Sequence, residues 1–341
     1  MIFVTGGAGF IGTNFIFEYL KKYEDKVINL DLLTYAGNIN NLNTLTSSNR
    51  LINIKGNIDN RKLVKEIFND YKPSYLFHFA AESHVDRSIS GPWDFINTNI
   101  NGTFNLLMAA KEYIKEHDIK DFKFFHISTD EVFGSLELKD PSFNEDSKYL
   151  PNSPYSASKA SSDLLVRSFI KTYNFPAVIT NCSNNFGPFQ SPEKLIPRTI
   201  FNAINQKPIP VYGDGKQIRD WLFVSDHVSA LLEIMHLKDD VNINYCIGGD
   251  NEIQNIELVM NICTILDEIL PMENISYSRF IQFVQDRPGH DYRYSVNTHK
   301  IRNATNWKPS NKFKQNLTAT IQWFIENQSW MNEMNQRLSD S

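Results

Sequence analysis

The spacing Gly6-x-x-Gly9-x-x-Gly12, set between a short apolar run and an amphipathic stretch, restricts the fold of this chain more than any other feature. Met1 to Thr5 reads as a buried strand. The residues beyond it carry Phe15, Ile16, Tyr19 and Leu20 at helical spacing on one face. Glycines at such a turn let the backbone bend tightly, approach a pyrophosphate and pack helix on strand, while the helix N-terminus offers free N–H donors to the anion. A second strand, Val27 to Leu30, ends in Asp31, an acid placed to accept hydrogen bonds from an adenosine ribose and to repel a 2′-phosphate. This stretch is expected to bind a dinucleotide and to favour NAD over NADP.

Strands and helices then alternate as in an α/β protein with a doubly wound parallel sheet. Leu51–Lys55 reads as a strand, Asn60–Asn69 as a helix and Tyr75–Phe79 as a strand. A long helix from Pro92 to about His117 is expected to turn Ile96, Ile100, Phe104, Leu107 and Met108 to one apolar side. The strand Phe122–Ile127, a helix from Pro154 to about Tyr173 and the strand Ala177–Thr180 complete a domain of residues 1–182. After Ser183 the alternation lapses, which predicts a smaller mixed α/β lobe over 183–327, with 221–245 packing back on the first domain. Its expected elements are Leu195–Asn205, Ser225–His236, Asn255–Leu270 and Lys314–Asn327 as helices, with strands near Ile209–Tyr212, Trp221–Val224 and Asn242–Ile247. Residues 328–341 are mostly polar and are expected to fray.

The chemistry is expected at Ser128-Thr129-Asp130-Glu131, which puts a hydroxyl and two carboxylates at the carboxyl end of a buried strand, where doubly wound sheets bind ligands. Tyr155 and Lys159 lie four apart in a helix and so project from one face. Tyr212 and Lys216 repeat that spacing, but Gly213 and Gly215 between them break any helix. The formal charge of −5 gives no basic field for nucleic acid, and no apolar run approaches the roughly 18 residues of a membrane span. No basic leader precedes the glycine turn. Cys182, Cys246 and Cys263 are widely spaced and odd in number, which argues against a disulfide framework or a metal site and for a reducing cytoplasm.

On these residues the chain resembles an extended short-chain dehydrogenase/reductase, and within that group the nucleotide-sugar 4,6-dehydratases, those acting on dTDP-glucose above all. The generic likeness lies in Thr5-Gly6-Gly7-Ala8-Gly9-Phe10-Ile11-Gly12 and Tyr155-x-x-x-Lys159; the specific likeness lies in Ser128-Thr129-Asp130-Glu131-Val132. Further matches are Asp31 to Asn38, Ala80 to Ser88, Ser183-Asn184-Asn185 with Pro192 to Pro197, Tyr212 to Gly215 with Arg219-Asp220-Trp221, and Asp286 to Asp291. Three positions depart from the family pattern: Asn57 for an Asp, Phe133 for a Tyr and Asn181 for an Arg.

The resemblance implies NAD held by Gly6, Gly9, Phe10, Ile11, Gly12, Asp31, Thr34, Asn57, Ile58, Ala80, Ala81, Thr98, Tyr155, Lys159 and Asn185. It implies a nucleotide-diphosphate glucose held by Ser83, Thr129, Asn184, Lys194, Leu195, Tyr212, Arg219, Asn255 and His290, no metal, and a homodimer built on a four-helix bundle. In that reading Tyr155 takes the C4 hydroxyl proton as hydride leaves, its pKa lowered by Lys159 and the positive nicotinamide. Lys159 also holds the nicotinamide ribose, Thr129 hydrogen-bonds the C4 oxygen, Glu131 removes the C5 proton, and protonated Asp130 protonates the departing C6 hydroxyl. Hydride returns to C6, giving a 4-keto-6-deoxyglucose nucleotide for deoxysugar biosynthesis, such as that of rhamnose. An epimerase or decarboxylase would share the glycines, Tyr155 and Lys159 but has no use for adjacent Asp130 and Glu131. A non-catalytic NAD-sensing protein would need none of the reactive residues. The residues leave the base open between thymine and uracil.

Overall fold

The structure, a computed structural model, describes residues 1–237 and 244–340. In the first half the strands are β1 (Ile2–Thr5), β2 (Val27–Asp31), β3 (Leu51–Lys55), β4 (Tyr75–His78), β5 (Lys123–Thr129) and β6 (Ala177–Cys182). In the second half follow β7 (Asn184–Phe186), β8 (Ile209–Tyr212), β9 (Ile218–Phe223), β10 (Asn244–Ile247), β11 (Glu252–Gln254) and β12 (Ile281–Val284). Among the described residues, seven strands pair in parallel in the order β10-β6-β5-β4-β1-β2-β3. Asn242 and Ile243 of the expected strand at 242–247 lie outside the described residues.

The helices interleave with the strands. α1 (Phe10–Lys22), α2 (Arg61–Tyr71), α3 (Val85–Ser90), α4 (Pro92–Phe95), α5 (Thr103–His117) and α6 (Pro154–Tyr173) belong to the first half. α7 (Leu195–Ile204), α8 (Val224–Met235), α9 (Asn255–Ile269), α10 (His299–Thr305), α11 (Phe313–Glu326) and α12 (Gln328–Ser339) belong to the second. Strand periodicity sorts them: Ile2 and Val4 of β1 join a core with Phe15, Ile16 and Tyr19 of α1 and Val228, Leu231 and Leu232 of α8. Phe3, between them, joins the opposite core with Val64 and Phe68 of α2, Leu107 of α5 and Val166 of α6. The sheet is therefore covered on both faces, which suits its all-parallel pairing. A third core, under β8 and β9, gathers Ile200 of α7, Leu258 and Ile262 of α9 and Leu317 and Phe324 of α11.

Because the order reverses at β1, the chain ends of β1 and β4 part at a topological switch point, where such sheets bind ligands. Gly6 sits at that point with φ +74°. A Cβ there would fall 2.5 Å from the backbone nitrogen of Ala80.

Two expectations are corrected. From Pro92 to His117 the helical path is interrupted by a π-helical segment at Ile96–Gly102, where the wider turn rotates the buried stripe. Phe95, Asn99, Thr103, Leu106 and Leu107 point inward, whereas Ile96 and Phe104 are exposed. The inward polar groups are satisfied: Asn99 Nδ2 donates to the Glu82 carbonyl and to Ser158 Oγ, and Thr103 Oγ1 donates to the Asn99 carbonyl. The second correction concerns residues 328–341, which do not fray over the described stretch; Gln328–Ser339 is helical. Its two buried methionines, Met331 and Met334, anchor it, Trp330 Nε1 donates to Asn41 Oδ1 at 2.7 Å, and Arg337 Nη1 donates to the Gly37 carbonyl at 3.0 Å.

Candidate active site

The first wall of the site is made by backbone. α1 begins at Gly9 with no side-chain cap and no acid in its first turn, which leaves the leading N–H groups for an anion. A Cβ on Gly12 would meet the Gly6 carbonyl at 2.3 Å, so only glycine lets helix and turn close this tightly. Asp31 at the end of β2 accepts from Ala8 N at 2.9 Å and Leu33 N at 2.8 Å, which laces the turn to the strand. Burial raises its pKa and those two backbone bonds oppose the rise. Asn57, the first departure from the family pattern, accepts from Asp59 N at 2.9 Å.

A cavity of about 300 Å³ runs from this turn to the end of β5 and on toward β7. Gly6, Gly9, Phe10, Ile11, Gly12, Asp31, Thr34, Asn57, Ile58, Ala80, Ala81, Thr98, Tyr155, Lys159 and Asn185 all line it. Thr129, Glu131, Ser83, Asn184 and Lys194 line it as well. Leu195, Tyr212, Arg219, Asn255 and His290 do not. They stand in the second lobe: Leu195 opens α7, Tyr212 ends β8, Arg219 lies in β9, Asn255 opens α9, and the His290 ring faces that of Tyr212 at 6.4 Å.

At the end of β5 the chain winds into a 3₁₀ turn, Asp130–Phe133, that stacks the reactive groups. Thr129 Oγ1 donates to Asp130 Oδ1 at 3.2 Å and accepts from Glu131 N at 3.3 Å. Asp130 is behind the cavity wall, 1% exposed, with Oδ2 lacking a protein partner. Burial first, then the charges of Glu131 and Asp220, hold its carboxyl well above the usual range. Burial also raises Glu131, but Arg287, Lys194 and Arg219 pull it back. Both adjacent acids are thus raised by burial, but neighbouring acids reinforce the rise at Asp130 and cations oppose it at Glu131, an asymmetry that favours Asp130 as the acid and Glu131 as the base.

Tyr155 differs from expectation. Burial and then the Glu131 charge push its phenol well above the ordinary value, with a Thr129 hydrogen bond working the other way. Lys159 is not among the principal influences on it; its ammonium donates to the Ile127 carbonyl at 2.8 Å. The protein alone therefore keeps Tyr155 a phenol.

The second lobe supplies charge around these groups. Lys194 Nζ donates to the Ser83 carbonyl at 2.7 Å, and Arg219 donates to the carbonyls of Ile218 and Asp291 with its guanidinium 4.3 Å from the Tyr294 ring centre. Sequence reasoning passed over Glu82, Ser183, Gln190 and Glu193, which also line the cavity. Glu82 accepts from Tyr35 OH at 3.0 Å, and Glu193 lies 3.6 Å from His84 and 3.7 Å from Arg87. Glu82, Ser183 and Glu193 fall inside the stretches that carry the family resemblance, which was the available signal. Phe133 is buried between the Phe143 and Tyr149 rings. Among the described residues, no cluster of His, Cys, Asp and Glu could hold a metal ion, and no helix is long and apolar enough to cross a membrane.

The donor set fits a dinucleotide: an uncapped helix start beside three glycines, an acid at the next strand end, and Lys159 with Tyr155 at the far end of one continuous cavity. Comparison with known proteins points the same way. The family model for GDP-mannose 4,6 dehydratase matches residues 3–320. A dTDP-glucose 4,6-dehydratase of Neisseria meningitidis is 49% identical over 335 residues, covering 96% of this chain and 94% of that protein. The dTDP-glucose 4,6-dehydratase of Bacillus anthracis, solved with NAD, superposes with a TM-score of 0.86 at 42% identity, covering 98% of this chain and 99% of the other. The Streptomyces venezuelae enzyme of the same name, solved with NAD and dTDP, gives a TM-score of 0.89 at 38% identity over 98% and 99%.

Proposed function

We propose, from the premise that the chain belongs to the GDP-mannose 4,6 dehydratase family, that it is an NAD-dependent 4,6-dehydratase of dTDP-glucose, releasing water and the 4-keto-6-deoxyglucose nucleotide. The observation that carries this reading is the pair Asp130 and Glu131, adjacent in sequence beside Thr129 and Tyr155 yet in opposite electrostatic surroundings, acids around Asp130 and cations around Glu131. Glucose must lose a proton from C5, which becomes acidic only when C4 is a ketone. Bound NAD would supply the hydride acceptor for that oxidation and return the hydride to C6.

The residues of the chain do the rest. Tyr155 takes the C4 hydroxyl proton, with Thr129 as hydrogen-bond partner to the same oxygen. Glu131, whose charge three cations favour, removes the C5 proton. Asp130, neutral behind the wall, delivers its proton to the departing C6 oxygen. Each such step of acid–base assistance contributes roughly 10²- to 10⁴-fold. Lys194, Arg219, Arg287 and the residues around Tyr212, Asn255 and His290 would hold the nucleotide diphosphate, Arg219 by the planar fork of its guanidinium. Residues 1–182 with the returning α8 and β10 form the cofactor half in this reading, and 183–327 the sugar-nucleotide half.

Incubation with dTDP-glucose and, separately, UDP-glucose tests the proposal by mass spectrometry. Loss of one water from dTDP-glucose is expected; intact sugar in both reactions would overturn it.

The exposed apolar residues Ile89, Trp93, Ile96, Phe104 and Leu164 fall on α3, α4, the π-helical segment, α5 and α6, so a homodimer through a bundle of these helices completes the reading. A monomeric mass in solution at micromolar concentration would contradict it.

A further inference from the structure

Beneath the cavity lies a buried polar group of residues that the mechanism above does not use. Asp163 stands one helical turn beyond Lys159 on the same face of α6 and is 0% exposed. Its Oδ2 accepts from Tyr149 OH at 3.0 Å and from Asn181 Nδ2 at 3.1 Å, and its Oδ1 lies 3.1 Å from His126 Nε2. The same amide nitrogen of Asn181 donates to the Thr129 carbonyl at 3.1 Å. One Asn side chain, standing where the family pattern has an Arg, thus ties together the ends of β5 and β6 and the helix that carries Tyr155 and Lys159.

A carboxylate with no access to water needs a counter-charge. Of the groups that face Lys159, His126 on β5 and His78 on β4 are held neutral by burial, and the Cys182 thiol on β6 is pushed up to about 12. Tyr155 on its own helix is a phenol. Burial works against the charge on Asp163, but the hydrogen bond from His126 and then the Lys159 ammonium hold its carboxyl below the usual range, and Asp163 in turn opposes the loss of the Lys159 proton that burial favours.

We infer that Asp163 is the buried counter-ion of Lys159 and, fastened through Asn181 to Thr129, the positioning residue that sets the Tyr155–Lys159 helix against the acid–base pair. This rests on the dehydratase reading, so the parent enzyme is measured first; a parent that does not dehydrate fails that reading and not this one. In the NAD-loaded enzyme, Asp163→Asn removes the charge and keeps the size. Lys159 then loses its proton at lower pH, and the alkaline limb of the kcat profile moves down by a unit or more. At neutral pH kcat falls at least tenfold while KM for the sugar nucleotide stays within twofold. A fall in kcat with the limb unmoved would reduce Asp163 to a structural part and overturn the inference.

The pair is tested a second way that does not need turnover or a folded Asp163→Asn single variant. Lys159→Met strands the carboxylate and lowers the urea midpoint of unfolding. Adding Asp163→Asn to Lys159→Met then raises that midpoint again. A midpoint that falls further in the double variant would show that the two charges are not partners.

Discussion

The two halves of the molecule meet the cavity by different means. In the sheet half, backbone does the work: glycines, a helix start and strand ends bring Gly6, Asp31, Ala80 and Thr129 to the wall itself. In the smaller lobe, Arg219 and Arg287 do not line the cavity, yet both pull the Glu131 carboxylate toward its charged form, while Asp220 in β9 pushes Asp130 toward its neutral form. The first half shapes the site and the second sets its charge. Sequence change should therefore be tolerated differently on the two sides: by volume in the sheet half, by charge in the lobe.

The largest effect is expected where both influences converge. Glu131→Gln keeps the shape and removes the proposed base, so kcat should fall roughly 10²- to 10⁴-fold. C4 oxidation should survive, and reduced nicotinamide should accumulate in its near-ultraviolet absorbance when substrate is added. Normal turnover would take Glu131 out of the base role.

A purely steric change in the sheet half comes next. Gly12→Val places a Cβ 2.3 Å from the Gly6 carbonyl, and the turn must open. A loss of about 3 kcal/mol of stability, read by urea unfolding, and loss of co-purified NAD are expected. If the variant binds NAD normally, shape is not what the sheet half contributes.

In the lobe, Arg219→Lys keeps the charge but cannot hold both carbonyls with one fork. About a tenfold rise in KM with kcat changed less is the expected outcome of steady-state kinetics. An equal fall in kcat with KM constant would move Arg219 into the chemistry.

The smallest effect is one of pH. Asp220 is fully buried and its carboxyl is raised to about 6, chiefly by desolvation. A carboxyl with a folded pKa above its ordinary value of about 3.9 binds its proton more tightly when folded. The stability this lends is present below pH ~4 and is lost as pH rises through 6. Asp220→Asn should flatten that slope and leave the protein about 1 kcal/mol more stable at pH 7 than a matched parent, net of weakened bonds to Gly249 N and Asn251 N. A slope unchanged in thermal melts across pH 4 to 7 would rule this out.

What was legible in the sequence follows the same division. The Gly6 turn, Asp31 and the end of β5 could be read because backbone geometry there needs particular residue types at particular spacings. The lobe residues Tyr212, Asn255 and His290 carry no such local necessity and were reached through resemblance alone. The stripe at Ile96 and Phe104 was misjudged because a π turn depends on inward partners, Glu82 and Ser158 for Asn99, that lie elsewhere in the chain. Residues 328–339 were misjudged for a related reason. Trp330, Met331 and Met334 look sparse in a polar stretch, and what they meet lies elsewhere in the chain: Met331 and Trp330 pack on the lobe core, while Trp330 and Met334 also reach Asn41 and Asn38.

That last helix has a consequence in time. Every residue that lines the cavity falls between positions 6 and 194, but the loop bearing Ala36 and Gly37 is fastened by Trp330, Glu333 and Arg337. During synthesis the wall is therefore translated long before its fastening. A nascent chain would pass through a stage in which every residue of the cavity has been made but one side is unlatched.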